Sequence, residues 1–252
     1  MDSKYLMLFF VWACAVGLHA QGEQSGFIEP IDKSLFPTSN TICLPEDGVL
    51  FFDRPNGSYA GRISHQLPPY IQVPPGQSAD LYATIQWRGI RPTLMDLSYF
   101  FETSDDCYFL RFDRIDSGFV RILNDPYEAW VSMDHLQQSG FKRTSWMDFY
   151  GVAERMIAVL PGEMVPLRAS PYGDSEILVS LDDEHFTIRV IPFDDNICCE
   201  GRFCLVEVIH YKENPCRNGD YSEENMIQIY RGWLPITDEN GVLRVMHHSG
   251  GC

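Results

Sequence analysis

The feature that most constrains the fold is a pair of apolar strands around a tight turn, which occurs twice in the chain. The first copy, over 49–63, reads VLFF-DRPNG-SYAGRI. The second copy, over 164–181, reads MVPLR-A-SPYGD-S-EILVSL. Because Asn-Gly and Pro-x-Gly turns between apolar runs are typical of β-hairpins, each copy predicts a hairpin.

Each copy is followed by a second pair of apolar segments, and the last of these carries a tryptophan. In the first copy FVRIL at 119–123 leads to AWV with Trp130, and in the second FCLVEV at 203–208 leads to GWL with Trp233. A repeat spaced by about 110 residues is too long for a solenoid and predicts two homologous domains.

The composition favours strands and excludes two classes of partner. The 252 residues include 16 prolines, 19 glycines, 16 phenylalanines and 12 tyrosines, a mixture that favours short strands and turns over long helices. The 19 basic and 35 acidic residues give a formal net charge of −16. Since nucleic acids and anionic membranes attract Lys and Arg, we expect an all-β protein that binds neither.

The N-terminus predicts export. Lys4 precedes an apolar run over 5–18, and Leu18-His19-Ala20 meets the preference for small residues before a cleavage site only in part, at Ala20. Residues 1–20 are interpreted as a signal peptide. The run is too short for a spanning helix, which needs about 20 apolar residues. A lipoprotein cut before Cys14 is the rival interpretation, although Trp12 is bulky for such a site. We expect a periplasmic or extracellular protein without a membrane span.

The strand, P-x-G turn, strand and terminal Trp strand resemble the modules of the bacterial SH3 (SH3b) family. The resemblance covers 43–140 and 158–248 and leaves 21–42 as an N-terminal extension. It implies two small, partly open five-stranded barrels. It also implies an exported module, because members of this family often accompany cell-wall hydrolases and some bind peptidoglycan or its peptides.

Both copies depart from the minimal pattern. The first carries an insertion over 65–106 with a Pro-rich turn and an alternating strand, in which Leu81, Ala83, Ile85 and Trp87 share one face. The second is lengthened by a Cys-rich loop. These additions are extra strands or a ligand surface, and the resemblance does not distinguish the two.

Residues 141–157 are expected to connect the barrels as a helix. Ser145 and Asp148 form a capping-box pattern, and apolar residues recur at helical spacing from Trp146 to Ile157. The helix either holds both barrels as one rigid unit or packs on the first alone.

Export makes disulfides the default state of the cysteines. Four candidates fall within one 19-residue stretch: Cys198, Cys199, Cys204 and Cys216. Zinc is the alternative, but no C-x2-C pair occurs and the spacing fits no common finger. We expect at least one disulfide in this cluster, and neither a metal nor a cofactor.

Catalytic motifs are missing from the sequence. No nucleophile elbow, zinc-protease, phosphate-loop or dinucleotide motif occurs. Acidic pairs such as Asp105-Asp106 and Glu223-Glu224 sit in turn-like contexts, which favours solvated loops over a glycosidase cleft.

Aromatic residues are the expected ligand contacts, because Tyr and Trp combine a large rigid surface with a polar tip. The candidates are Tyr59, Tyr127, Trp130, Tyr172, Tyr230 and Trp233. For the two tryptophans, packing within a barrel is the competing interpretation. The sequence therefore predicts an exported, non-enzymatic binding module for cell-envelope peptides or peptidoglycan. An envelope hydrolase with a site in the insertions, or a protein–protein interaction or inhibitor protein, is the alternative.

Overall fold

The computed structural model describes residues 25–32, 41–73, 82–96, 99–102, 107–123, 127–182, 184–194 and 197–247. The predicted signal peptide lies outside these residues. The described chain is mostly strand, and it divides into two compact units, Ser25–Thr144 and a second that begins at Ser145. The expectation of an all-β protein is confirmed at this level.

The described residues of the first unit form twelve strands and one short helix. They are β1 Gly26–Pro30, β2 Thr41–Cys43, β3 Val49–Phe52, β4 Tyr59–Ser64, β5 Thr84–Trp87, β6 Thr93–Leu94, β7 Phe100–Glu102, β8 Cys107–Phe112, β9 Arg114–Asp116, β10 Phe119–Leu123, β11 Ala129–Ser132, α1 Met133–Gln138 and β12 Phe141–Ser145.

The strands of the first unit form two sheets. One has the order β12-β1-β8-β2, with β7 also paired to β8, and the other has the order β6-β5-β4-β3-β11-β10-β9. Alternate residues of both sheets, among them Val49, Phe51, Val131 and Leu110, are fully buried in one apolar core. This alternation is the period of a strand with one face inward.

In the second unit, the part of the chain that the structure describes forms eight strands and two short helices. They are α2 Trp146–Tyr150, β13 Met156–Val159, β14 Val165–Arg168, β15 Ile177–Leu181, β16 Phe186–Val190, β17 Cys199–Glu200, β18 Phe203–Tyr211, α3 Pro215–Asn218, β19 Met226–Pro235 and β20 Val245–His247. The strands form one sheet in the order β15-β14-β19-β18-β16-β13-β20, with β17 also paired to β18.

Five strands follow the same path in each unit. The path is β4-β3-β11-β10-β9 in the first and β15-β14-β19-β18-β16 in the second. Both hairpins shift register at the same place, between Phe51 and Phe52 and between Leu167 and Arg168. In both units the last strand of the path in sequence order returns to pair with the first.

The two tryptophans occupy equivalent positions on these paths. Trp130 pairs with Phe52, the last residue of β3, and Trp233 pairs with Arg168, the last residue of β14. The prediction that the two tryptophans take matching places is therefore confirmed by strand register.

The predicted insertion extends the sheet of the first unit. β5 pairs with β4 and β6 pairs with β5, so the predicted alternating segment forms a strand of this sheet. Ala83 and Ile85 are buried and Trp87 is half-buried, as the alternation predicts. Leu81 lies outside the described residues.

The prediction of a helix over 141–157 is wrong except at its centre. Residues 141–145 form β12, α2 ends at Tyr150, and Met156 and Ile157 belong to β13. The capping box is confirmed, because the Ser145 hydroxyl accepts the backbone N–H of Asp148 at 3.0 Å. The helix ends at Tyr150 with Gly151 as its C-cap. The chain then turns through Glu154, where φ is 65°, and β13 pairs with β16 and β20. Sheet pairing outweighs the helical spacing of the apolar residues.

In the part of the chain that the structure describes, no helix is long and apolar enough to cross a membrane.

Candidate functional site

A pocket of about 330 Å³ opens on the surface of the first unit. It lies where the turn after β3, the end of β5 and the residues preceding β11 meet. Its lining residues are Asp53, Ala60, Trp87, Arg88, Ile90, Tyr127 and Glu128. A concave, mostly apolar wall with a few charged groups at its border is the usual composition of a ligand site.

Two aromatic rings form a corner of the pocket. The ring centroids of Trp87 and Tyr127 are 5.4 Å apart with an interplanar angle of 62°. Trp87 is supported from below by Phe51, whose ring lies 4.7 Å away in an edge contact. Tyr127 is 62% exposed, so most of its ring surface is open to a ligand.

A glycine allows the tryptophan to sit this close to the core. Gly61 pairs directly with Trp87 across β4 and β5 and with Phe51 across β3 and β4. A Cβ atom at position 61 would overlap the Phe51 ring and the carbonyl oxygen of Gln86. The close approach of backbone and ring therefore requires glycine at this strand position.

The two carboxylates of the pocket are held by different partners. Asp53 accepts the backbone N–H of Ser58 at 2.9 Å, which fixes the β3–β4 turn. Glu128 accepts the indole N–H of Trp130 at 3.0 Å and a guanidinium N–H of Arg121 at 2.8 Å. These donations, from Trp130 first and Arg121 second, lower the pKa of Glu128. Glu128 is thus a fixed negative charge rather than a group that readily carries a proton.

Trp130 is buried without belonging to the apolar core of its unit. Its neighbours Ala129 and Val131 point into the core, so Trp130 points to the opposite face of β11. There the guanidinium carbons of Arg121 and Arg114 lie 5.8 and 6.0 Å from its ring centroid, and the residue is only 3% exposed. Trp130 supports the pocket through Glu128 but is not among the residues that line it.

The remaining predicted contact residues do not gather at this pocket. Tyr59 is 45% exposed and directly precedes Ala60, which lines the pocket. Tyr172, Tyr230 and Trp233 belong to the second unit. Trp233 is half-buried, and its ring centroid lies 4.9 Å from that of Phe193. Tyr230 is three residues away on the same strand, so the two side chains leave β19 on opposite faces.

Sequence reasoning missed six of the seven lining residues as contacts: Asp53, Ala60, Trp87, Arg88, Ile90 and Glu128. Trp87 was placed on an alternating strand of the insertion, but its proximity to Tyr127 depends on strands distant in sequence. The available signal was the interpretation of the insertion as a ligand surface, because Trp87, Arg88 and Ile90 all lie within 65–106.

The expected disulfide in the Cys-rich loop is confirmed as a bridge between Cys199 and Cys204. These residues face each other across the β17–β18 hairpin. Cys198 is 1% exposed, and burial raises the pKa of its thiol. The side chain of Cys216 lies outside the described part of the structure.

Among the described residues, no group of three or more metal-ligating side chains is close enough to hold an ion. The chain matches no family model, no curated protein and no solved structure.

Proposed function

We propose that the protein is an exported, non-enzymatic binding module of the SH3b kind, which recognises peptides or glycan-peptides of the cell envelope. Two SH3-like small barrels would supply the framework. The shared five-strand path supports this proposal, because in both units the last strand of the repeat in sequence order returns to pair with the first, so that each repeat forms one continuous small sheet.

The observation that carries the proposal is the aromatic corner of Trp87 and Tyr127. A half-buried tryptophan and a largely exposed tyrosine stand beside an open pocket, and both are residue types that dominate recognition of peptides and sugars. The insertion that supplies Trp87 also supplies Arg88 and Ile90, so the departure from the minimal repeat provides three of the seven lining residues.

The state of Glu128 does not suit the proton-donor role that a glycosidase requires. A glycosidase acid needs a raised pKa so that it carries a proton near neutral pH. Donation by Trp130 and Arg121 lowers the pKa of Glu128 instead. The residue suits a permanent charge in a binding pocket better than a proton donor.

Sedimentation with purified peptidoglycan tests the function. Wild-type protein should be recovered in the pellet well above a control protein of the same net charge. Raising the salt concentration should weaken binding only modestly, because screening acts chiefly on exposed charges separated by more than about 8–10 Å. Equal recovery of the two proteins at both salt concentrations would contradict the proposal.

A pair of variants ties the binding to the pocket. Tyr127→Ala should reduce recovery, while Tyr221→Ala, which removes an exposed tyrosine of the second unit, should not. Tyr230→Ala tests the predicted contact on β19 in the same assay. Circular dichroism of each variant separates lost binding from lost folding.

A further inference from the structure

The walls of the pocket suit an alkyl chain that ends in a positive charge. Ala60 and Ile90 are apolar, and Trp87 and Tyr127 present ring surfaces at 62° to each other. An aliphatic chain can lie against such walls without a cost in free energy, because neither the apolar side chains nor the ring faces have polar groups that must give up hydrogen bonds to water. A cation within about 6 Å of an aromatic face is attracted by the ring quadrupole, most strongly for tryptophan.

The charges at the border have the complementary sign. The lining carries two carboxylates, Asp53 and Glu128, against one guanidinium, Arg88. Arg121 balances Glu128 only in part, because it also bonds both carboxylate oxygens of Asp113, at 2.9 and 3.1 Å. Arg114 also lies near Trp130, and its charge helps to lower the pKa of Glu128, so the excess of one carboxylate over guanidinium holds for the residues that line the pocket.

Other ligand classes fit less well. An anionic group on Arg88 would meet two carboxylates in the same pocket. A purely apolar group would displace water from these carboxylates without replacing their hydrogen bonds, which costs free energy. A primary ammonium can donate to a carboxylate oxygen while its chain covers the rings.

We propose that this pocket selects an alkylammonium side chain, as carried by lysine or another diamino acid within a peptide. The proposal rests on the proposed function, because it names the part of an envelope peptide that the module reads. Glu128 and Asp53 receive the ammonium, and Trp87 and Tyr127 hold the alkyl chain.

Titration with blocked amino acids tests this selectivity on the full mature chain. The probes are the N-acetyl methylamides of lysine, norleucine, Nε-acetyl-lysine and glutamate. Binding is followed through the indole N–H resonance of Trp87, assigned with Trp87→Phe. The lysine probe should bind at least about fivefold more tightly than the norleucine and Nε-acetyl-lysine probes, as expected for a cation held by rings and carboxylates.

Isosteric variants assign the charge. Trp130 and Arg121 donate to different oxygens of Glu128, so Glu128→Gln removes the charge and keeps an acceptor for only one of them. It should weaken binding of the lysine probe about threefold or more while leaving the norleucine probe unchanged, with circular dichroism as the check that the fold is kept. Asp53→Asn should act in the same direction. Glu223→Gln, in the second unit, is the matched control and should change neither affinity. Arg88→Gln should not weaken the lysine probe, since it removes a like charge.

Two results would overturn the proposal: equal affinity for lysine and norleucine probes, or tightest binding of the glutamate probe with loss in Arg88→Gln. The peptidoglycan assay distinguishes failure of this proposal from failure of the proposed function. If the protein sedimented with peptidoglycan but did not prefer the lysine probe, the ammonium site would be refuted and the proposed binding function would stand. If the protein preferred the lysine probe but did not sediment with peptidoglycan, the ammonium site would be supported and the envelope would be excluded as the source of its ligand.

Discussion

Trp130 and Trp233 hold equivalent register positions, but their surroundings differ. Trp130 is 3% exposed beneath two arginines and donates to Glu128, whereas Trp233 is half-buried against Phe193. The repeated strand pattern therefore sets where the ring lies, and the neighbouring side chains decide how deeply it is covered.

Replacing Trp130 by Ala should lower the free energy of unfolding by about 3 kcal/mol or more, the usual cost of deleting a large buried ring. Trp233→Ala should cost less because its ring is already partly in water. Urea unfolding of both variants measures the difference. Equal losses would mean that the arginine layer over Trp130 does not bury it in solution.

His210 makes stability depend on pH. Burial first and then the nearby His185 lower the pKa of His210, while Asp182 opposes the shift. The unfolded chain therefore takes up the proton at higher pH than the folded chain, so this group destabilises the fold as pH falls below about 6.5. The loss of stability stops growing once the pH is below the pKa of His210 in the folded chain.

His210→Gln should flatten this part of the stability profile. The free energy of unfolding, measured by urea titration between pH 8 and pH 5, should fall less in the variant than in the wild type. The variant-minus-wild-type difference removes the contribution of carboxylates elsewhere in the chain. Parallel profiles would show that His210 does not contribute.

At the scale of elements, the β17–β18 hairpin is closed by the Cys199–Cys204 bridge, with a sequence separation of 5. A loop this short gains about 2 kcal/mol in the chain-entropy account of disulfides. The double variant Cys199→Ser, Cys204→Val keeps the buried position 204 apolar, and its free energy of unfolding should fall by that amount. An unchanged value would contradict the prediction.

Arg202 lies between the two cysteines, so trypsin cuts inside the loop. Non-reduced digestion should leave two peptides joined by the bridge, detected by mass spectrometry and separated by reduction. The same linked pair should persist in Cys198→Ser, which excludes the neighbouring cysteine as the bridging residue. Separate peptides before reduction would show that the bridge does not form.

Short sequence patterns correctly predicted the turns and the helix start, because neighbouring residues determine these elements. The DRPNG and SPYGD turns lie between paired strands, and Ser145 caps a helix. The helical spacing from Trp146 to Ile157 misled, because the pairing of β13 with β16 and β20 depends on distant strands. For the same reason Tyr127 could be named as a contact from the sequence, while its packing against Trp87 could not.

At the scale of the whole molecule, the N-terminal and C-terminal segments of the first unit lie side by side. β12 neighbours β1 in the sheet, and β1 pairs with β8. Glu29, on β1, is bonded by Thr144 at 2.5 Å and by Lys142 at 3.1 Å, although it is 5% exposed. Residues assigned from sequence to an N-terminal extension thus take part in the sheet of this unit.

The unit boundaries can be tested with fragments. A fragment spanning 25–144 keeps every strand from β1 to β12 apart from Ser145, together with the core they enclose. It should give a β-type circular dichroism spectrum and a single cooperative unfolding transition. The shorter fragment 43–140, which follows the sequence repeat, lacks β1, β12 and all of β2 except Cys43. It leaves β8 without β1 and with only one of its three paired residues in β2, so it should not fold cooperatively.

A fragment from 145 to the C-terminus should fold for the corresponding reason. It retains the Ser145 cap and β13, which pairs with β16 on one side and β20 on the other. The matched fragment 158–248 cuts β13 after Ile157 and should lose much of its stability, measured as the midpoint of urea unfolding. If the two fragments unfolded at the same urea concentration, the strand would be dispensable and the unit would begin where the sequence repeat does.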